Sequence, residues 1–368
     1  MSSLVLGGIE GGATHSAIVL INGKGERLVQ CKGPGTNHWA LGVDECLRRV
    51  SAMVSEAKKA AGLPEDKPLT ALGLALSGCE GEGQNRKIRE IMLEKYPTAA
   101  DEVYVTSDTV GSLAAVSEAG GMVIIAGTGS NALLINPDGT HYHSGGWGHA
   151  LGDEGSGFWI SHKAIKTCID EQDNYKKPPY STDMTWKTIK EHFDIKESLD
   201  LLPHCYRDFQ KPLFAALCTK IYENAQMGDR LSQWLFAEAG RALAKFIIAL
   251  LPKVHPNLLL MPEGIPVVCV GSVWNSWDYL KEGFLDEMHS ARLTQRLSLL
   301  RSTTSLATGA VYLGAKAIDY DLPRDYSSNY RLLHKYIPKS LACNSPLKMK
   351  ENGFDKNGIP QNNHAVKA

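Results

Sequence analysis

Along this chain of 368 residues, short apolar runs are interrupted twice by glycine-rich breaks of similar design. The apolar runs 4–9 and 17–21 flank the first break, and the runs 123–126 and 132–135 flank the second. Two β-type runs joined by a glycine-rich turn are typical of a β-hairpin. The pattern therefore predicts two hairpins, each with glycines at its tip.

The segment after the first hairpin mixes helical spacing with runs of the buried-strand type. The predicted order is three antiparallel strands, helix, strand, helix, strand and helix, which is typical of a mixed α/β layer fold. The elements after the antiparallel strands are a helix over 41–61, a strand over 69–76, a helix over 85–96, a strand over 103–107 and a helix that begins near Thr109.

After the second hairpin the chain becomes mostly helical. The spacing of apolar and small residues predicts helices over 158–169, 232–251 and 305–317, and an apolar run predicts a late strand over 266–270. From about Tyr330 the residues are polar and rich in Asn, Lys and Pro, so we expect a weakly ordered tail.

The two hairpins are related in sequence as well as in pattern. A shift of 114 residues aligns Thr14 with Thr128 and carries the match along both hairpins. A long-period internal match indicates two related folding units, and the length of the chain also favours two domains. We therefore predict two lobes, 1–117 and 118–330, followed by the tail over 331–368.

A glycine-rich hairpin tip can bind an anion, because backbone N–H groups without side chains approach a phosphate closely. An ordinary tight turn has the same composition, so one copy alone would favour the turn. Two facing copies can hold a polyphosphate between two lobes. The residues expected to contact it are Gly11, Gly12, Thr14, Gly127, Thr128 and Gly129.

Composition narrows the class of protein. The net charge is −1, and the mixed charges leave no basic face for nucleic acid. The eight cysteines have no CxxC spacing, so we expect reduced thiols without a disulfide frame or a metal cluster. The amino-terminal residues do not resemble a signal peptide, and no apolar stretch approaches the roughly 20 residues of a membrane span. We expect a soluble cytoplasmic protein without nucleic-acid or membrane partners.

Asp108 ends a predicted strand and precedes a helix of small residues. Carboxylates at strand ends in α/β folds point into the ligand crevice. The alternative is a helix N-cap, in which the carboxylate accepts from free backbone N–H groups. The catalytic interpretation gains weight because Asp108 shares a lobe with the first hairpin.

The segment 144–157 combines six glycines with an aromatic ring and two carboxylates. A bound sugar needs an apolar face and hydrogen-bond acceptors, which Trp147, Asp153 and Glu154 could supply. The alternative is a tight surface loop that ends in the N-cap of the next helix. We expect His149 to order this loop rather than to act in catalysis.

Two positions of the first lobe have open interpretations. Glu10 could hold Mg²⁺ through water, since this ion prefers one or two carboxylates plus phosphate oxygens, or it could be a solvated turn residue. Asn37, followed by His38 and Trp39, could contact a substrate, although a structural tryptophan under a loop explains the same residues.

The chain resembles the N-acetylglucosamine kinases of the BadF/BadG-type branch of the actin/Hsp70/sugar kinase ATPase superfamily, through the motifs GGIEGGATHS, GTNHW, SDTVGS, IAGTGSN, GGWGHALGDEGS, LPHCYRDF and CVGSVWNSW. The resemblance covers roughly residues 5–326. It implies an α/β fold of two ribonuclease-H-like lobes, with ATP, Mg²⁺ and an amino sugar meeting in the cleft. It also implies phosphorylation of N-acetyl-D-glucosamine at the 6-hydroxyl by a homodimer.

The resemblance also implies roles for individual residues. Further nucleotide contacts would come from Gly271, Ser272 and Ser276, with Ala215 nearby. The sugar would be bound by Asn37, Asp108, Ser130, Asn131, Gly146, Trp147, Gly148 and Asp153, with Asp108 as the catalytic base.

The chain departs from the superfamily at two positions of the first loop. Glu10 stands where Asp is usual, and Ala13 replaces the third glycine, which concerns the metal geometry more than the activity. Alternative substrates are N-acetylmannosamine, glucosamine and 3-O-substituted N-acetylglucosamine. An activator ATPase of the same branch needs an iron–sulfur cluster, which the cysteine spacing disfavours. An actin-like filament or chaperone ATPase would lack the sugar loop.

Overall fold

The computed structural model describes residues 4–12 and 14–339. Ala13, Cys343 and the predicted tail beyond residue 339 therefore lie outside the described residues. Within the described part, the strands form two sheets with helices packed against them. No helix in this part is both long and apolar enough to cross a membrane.

The first lobe is built on a five-stranded sheet in the order β3-β2-β1-β4-β5. Strands β1, β4 and β5 are parallel, so their carboxyl ends share one edge of the sheet and the residues that follow them meet there. The elements of this lobe are β1 (Val5–Gly11), β2 (His15–Asn22), β3 (Arg27–Pro34), α1 (His38–Leu41), α2 (Val43–Ala60), β4 (Ala71–Leu76), α3 (Glu82–Lys95), β5 (Val103–Thr106) and α4 (Asp108–Ala114).

The helix predicted over 41–61 is wrong at its beginning. Gly42 has φ +79°, a left-handed conformation that favours glycine, and it separates the short α1 from α2. The Asn37 side chain caps α1 by accepting a hydrogen bond from the Trp39 N–H at 2.9 Å. This turn directs Asn37 towards the carboxyl end of β4.

The second lobe repeats the first sheet and enlarges it. Its strand order is β11-β10-β9-β6-β7-β8, in which β6, β9 and β10 are parallel. Its elements are β6 (Gly121–Ala126), β7 (Ser130–Ile135), β8 (His141–Gly145), α5 (Gly157–Gln172), α6 (Asp183–Phe193), a 3₁₀ turn (Ser198–Leu201), α7 (Leu202–Cys205), α8 (Lys211–Gln226), α9 (Arg230–Leu250), a 3₁₀ turn (Leu251–Lys253), α10 (Pro256–Leu259), β9 (Ile265–Val270), a 3₁₀ turn (Ser272–Ser276), α11 (Trp277–Ser290), β10 (Leu297–Ser302), α12 (Ala307–Ala317), a 3₁₀ turn (Ser327–Asn329) and β11 (Tyr330–Tyr336).

The strands β6 to β10 pair in the same order and directions as β1 to β5. The repeat read from the sequence is therefore a repeat of structure, and the predicted two-lobed α/β architecture is confirmed. Each hairpin tip lies at the end of the central strand of its sheet.

The prediction of a weakly ordered tail from about Tyr330 is wrong for β11. This strand pairs antiparallel with β10 and ends in Tyr336, which is 2% exposed. It lies at the edge of the sheet, and most of its side chains are at least partly exposed. An edge strand of this kind has too few buried positions to give an apolar pattern.

Helix α12 lies in the segment predicted as the second lobe, and it packs against the first sheet. A Cβ on Gly8 of β1 would lie 2.3 Å from the Ala307 oxygen, and one on Gly73 of β4 would lie 1.8 Å from the Ala310 oxygen. Helix and sheet therefore meet at backbone contact, which the small residues of α12 allow.

Candidate active site

The carboxyl edge of the first sheet brings Glu10, Ser77 and Asp108 together. Glu10 lies near the end of β1, Ser77 follows β4, and Asp108 follows β5. The Asn37 amide donates to the Ser77 hydroxyl at 3.3 Å, and Ser77 is close enough to Asp108 to lower the pKa of its carboxyl group. Ser77 was not predicted as a site residue. It follows the buried strand β4 directly, whereas Asp108 is separated from β5 by Ser107.

The structure shows that Asp108 is not the N-cap of α4. Helix α4 is capped by Ser107, whose hydroxyl accepts from the Val110 N–H at 3.4 Å. Asp108 is the first residue inside the helix, so its carboxylate is not needed as the cap. It lies half-buried at the carboxyl edge of the sheet.

The negative charges of neighbouring carboxyl groups affect one another at this edge of the sheet. Burial and then the negative charge of Glu80 raise the pKa of Asp108 to about 6, against opposing hydrogen bonds from backbone N–H groups and Ser77. Burial and then the charge of Asp108 raise the pKa of Glu10 to about 7. Glu80 was missed because it lies in a loop without a motif.

The first hairpin is packed tightly at its base. A Cβ on Gly11 would lie 2.0 Å from the Thr36 hydroxyl oxygen, so glycine is required there by close approach. The Gly12 N–H donates to the His15 oxygen at 2.9 Å, within the turn. Thr14 is exposed, so its hydroxyl can reach a ligand.

The second hairpin rests on the amino-terminal end of α5. The Gly157 N–H donates to the Gly127 oxygen at 2.8 Å, and the Phe158 N–H donates to the Thr128 oxygen at 3.3 Å. The Thr128 side chain is exposed, and a Cβ on Gly127 would meet nothing within 4 Å. The tip of this hairpin therefore has an open side.

Ser130 and Asp153 are bound to the protein itself, which differs from their predicted role as sugar contacts. Ser130 is buried, and its hydroxyl donates to the Glu154 oxygen at 2.8 Å. Asp153 has φ +64° and accepts from the Ser130 N–H at 3.0 Å with one carboxylate oxygen. Its other oxygen pairs with Lys211 Nζ at 2.6 Å. These contacts hold the second hairpin in place.

Asn131 and the Gly146–Gly148 turn are adjacent. Gly146 and Gly148 have φ +81° and +76°, and a Cβ on Gly146 would lie 2.9 Å from Asn131 Oδ1. Among the described residues, that buried oxygen has no hydrogen-bond partner. It is therefore a candidate acceptor for a ligand, and the close approach of the turn to Asn131 requires glycine at position 146.

Trp147 is not brought to Asp108. Its side chain is 74% exposed and lines a separate pocket of ≈ 510 Å³ with Trp159 and Arg241. His149 stacks on Phe209 with ring centroids 4.8 Å apart, which agrees with its predicted role in ordering the loop.

Gly271 and Ala215, two of the predicted nucleotide contacts, lie near the second hairpin and the start of α5. Gly271 has φ +100°, and a Cβ there would lie 2.3 Å from the Ala126 oxygen. The 3₁₀ turn Ser272–Ser276 follows at once, with Ser272 exposed and Ser276 buried. On the other side, a Cβ on Gly157 would lie 3.3 Å from the Ala215 oxygen.

Arg301 on β10 holds the Gly271 loop in place. Its guanidinium donates to the Gly271 oxygen at 2.9 Å and to the Asn275 side-chain oxygen at 2.8 Å. The sequence offered no signal for this residue, because the contact depends on the pairing of β9 with β10.

The two lobes face each other across a groove of ≈ 770 Å³, whose lining includes Ser107, the residue before Asp108 in the chain. Glu80 and Ser107 line it from the first lobe, and His141 and His143 line it from the second. Burial and then His141 lower the pKa of His143, while the charge of Glu80 opposes this shift. The groove therefore brings titratable groups of both lobes together.

The resemblance implies Mg²⁺, and the donor set at the first edge fits that ion. Glu10 and Asp108 are neighbouring carboxyl groups whose pKa values are raised by burial first and by negative charge second. Mg²⁺ prefers one or two carboxylates together with water and phosphate oxygens, and these two residues can supply the carboxylates.

Comparison with known proteins agrees with this geometry. Residues 8–297 match the model of the BadF/BadG/BcrA/BcrD ATPase family. The chain is 26% identical over 333 residues to the N-acetyl-D-glucosamine kinase of Dictyostelium discoideum, covering 85% of this chain and 98% of that protein. It is 29% identical over 258 residues to the glucosamine kinase GspK of Vibrio cholerae, covering 69% and 83%.

A solved structure shares the fold. The crystal structure of a candidate N-acetylglucosamine kinase from Chromobacterium violaceum superposes with a TM-score of 0.66 at 23% identity. The match covers 85% of this chain and 99% of that one. The two-lobed arrangement is therefore common to both.

Proposed function

The chain belongs to the BadF/BadG/BcrA/BcrD ATPase family, and we propose that it is an ATP-dependent kinase for the 6-hydroxyl of N-acetyl-D-glucosamine. The observation that carries this proposal is the convergence of Asn37, Ser77 and Asp108 at the carboxyl edge of the first sheet, where the Asn37 amide donates to the Ser77 hydroxyl at 3.3 Å. It brings a candidate sugar contact to the same edge as the half-buried Asp108 carboxylate.

Asp108 is proposed as the base. Phosphoryl transfer passes through a loose transition state, so the protein mainly aligns the acceptor hydroxyl and neutralises charge. A pKa of about 6 leaves the Asp108 carboxylate mostly ionised at neutral pH and makes it more basic than an ordinary aspartate. Ser77 and the start of α4 would orient it towards the 6-hydroxyl.

The sugar would lie between the lobes, with Asn37 on one side and Asn131 and the Gly146–Gly148 turn on the other. The partnerless Asn131 oxygen supports this, since a sugar hydroxyl or acetamide N–H would satisfy it. Contacts from both lobes would favour closure and exclude water from the phosphate.

The nucleotide would lie against the hairpin tips, with its phosphates between Thr14 and Thr128. The open side of Gly127 supports close approach of a phosphate chain. When bound, Mg²⁺ supplies positive charge beside the phosphates, and Glu10 is the residue that would hold it through water. A cytoplasmic homodimer is part of the same proposal and rests on the resemblance alone.

Glucosamine is the second candidate substrate, because the similarity to glucosamine kinase GspK is of the same order as that to the N-acetyl-D-glucosamine kinase. The two sugars differ in charge at the 2-position. A neutral acetamide suits the amide of Asn131, whereas an ammonium would suit a carboxylate.

A coupled ADP-release assay with ATP and a panel of sugars tests the proposal. The panel contains N-acetylglucosamine, glucosamine, N-acetylmannosamine and 3-O-substituted N-acetylglucosamine. We expect the highest kcat/KM with N-acetylglucosamine, by about 10-fold or more over glucosamine. A preference for glucosamine would make glucosamine the proposed substrate. ADP release that no sugar stimulates would contradict the proposal that the protein is a sugar kinase.

A further inference from the structure

We infer that Lys211 is a phosphate-binding residue of the nucleotide site, positioned by its ion pair with Asp153 before a phosphate binds. This inference rests on the proposed function, because it assigns a cation to the same hairpin. Neither the sequence motifs nor the family comparison marks this lysine.

The position of Lys211 is the first part of the argument. Lys211 begins α8, and its Nζ would lie 3.0 Å from a Cβ placed on Gly129, at the tip of the second hairpin. The first turn of α8 therefore lies beside the loop that would take the phosphates. The amino-terminal end of this helix adds partial positive charge in the same place.

The state of Lys211 is the second part. Its side chain is 29% exposed, whereas its partner Asp153 is 4% exposed. The carboxylate is thus fixed in the protein by the Ser130 N–H, while the Lys211 side chain keeps contact with solvent. A lysine on a flexible stem can exchange a carboxylate for a phosphate oxygen without any change of the backbone.

The chemistry of the hairpin is the third part. Backbone N–H groups at this tip are partly used, since the Gly127 N–H donates to the Gly129 oxygen at 2.9 Å. A diphosphate or triphosphate carries more negative charge than the remaining N–H groups can neutralise. A charge-assisted bond from Lys211 supplies the missing positive charge.

The test measures ADP and AMP binding without sugar by calorimetry, for the parent and for Lys211→Met, Lys211→Arg and Asp153→Asn/Lys211→Met. Lys187→Met is the matched control, because Lys187 is 75% exposed on α6. We expect Lys211→Met to weaken ADP about 10- to 100-fold, to leave AMP nearly unchanged, and Lys211→Arg to keep part of the affinity.

The double variant separates phosphate binding from a structural role. Asp153→Asn/Lys211→Met contains no unpaired buried carboxylate, so it should fold normally and still bind ADP weakly. Full recovery of ADP affinity in it would show that Lys211 only neutralises Asp153, and would overturn the inference. Unchanged ADP affinity in Lys211→Met would overturn it while leaving the kinase proposal intact, whereas a parent that binds no ADP would overturn both.

Discussion

The charge of Asp108 acts on Glu10 across the carboxyl edge of the first sheet, and together with the larger effect of burial it raises the pKa of Glu10 to about 7. Strand β4 lies between the two strands that carry these acids. The edge thus concentrates negative charge where a phosphate and its metal would arrive. Such a site is costly for the free protein, and a bound cation would relieve it.

Glu10→Gln should stabilise the protein at high pH and not at low pH. The pKa of Glu10 is higher in the folded protein than its ordinary value of 4.5, so stability is lost as the pH rises from about 4.5 to about 7. The glutamine variant does not titrate and should gain up to about 3 kcal/mol over the parent at pH 8. Thermal unfolding in EDTA at pH 5 and pH 8 measures this, with exposed Glu56→Gln as control. An equal effect at both pH values would contradict the raised pKa.

Glu80→Gln should shift the pH profile of activity to lower pH. The parent should lose kcat as the pH falls through about 6, because protonated Asp108 cannot accept a proton. Removing the charge of Glu80 lowers the pKa of Asp108, so the acid limb moves down. Glu80 is exposed, and the shift should shrink at high salt. The exposed Glu90→Gln variant should keep the parent profile, and an upward shift for Glu80→Gln would be inconsistent with this electrostatic arrangement.

Two glycines of the second hairpin should respond differently to alanine. A Cβ on Gly129 would lie 2.5 Å from the Asp153 carboxylate, whereas one on Gly127 would meet nothing within 4 Å. Gly129→Ala should therefore lower Tm and raise KM for ATP about 10-fold. Gly127→Ala should keep the parent Tm and still raise KM for ATP, because its methyl group enters the open side. Unchanged ATP kinetics in Gly127→Ala would show that phosphate does not lie there.

The contact between α12 and the first sheet should tolerate no side chain. A Cβ on Gly73 would lie 1.8 Å from the Ala310 oxygen, so Gly73→Ala must separate helix and sheet. We expect a cost of about 2–3 kcal/mol and a Tm lower by about 4–12 °C. Gly83→Ala is the control, since this glycine lies in α3 with nothing within 4 Å of its Cβ position and should keep or slightly raise Tm. Equal Tm values for both variants would contradict the close packing.

Features that depend on local sequence were predictable. Apolar runs and turn residues predicted the glycine-tipped hairpins, and the internal sequence match predicted the repeat of the sheet. Asp108 was found because it directly follows the strand predicted over 103–107. The hairpin and strand-end signals lie within about ten residues of one another, which is the range in which periodicity and turn chemistry act.

Features that depend on long-range packing were not predictable. Lys211 reaches the second hairpin only because α8 packs against α5, and Arg301 reaches Gly271 only through the neighbouring strand. Asp153 was predicted from its loop to face a sugar, whereas the fold turns it towards Lys211. The edge strand β11 and the return of α12 to the first lobe likewise depend on partners far along the chain.

The central claim is phosphoryl transfer from ATP to the 6-hydroxyl with Asp108 as base, and nuclear magnetic resonance of the product tests it most directly. The parent, incubated with ATP, Mg²⁺ and N-acetylglucosamine, should give a sugar phosphate whose phosphorus couples to the two protons on carbon 6. The 6-deoxy sugar should give none, and Asp108→Asn should slow formation by about 10²- to 10⁴-fold while remaining folded. Asp44→Asn, an exposed aspartate on α2, is the control and should match the parent. Phosphate at another position, product from the 6-deoxy sugar, or parent-like rates in Asp108→Asn would contradict the account.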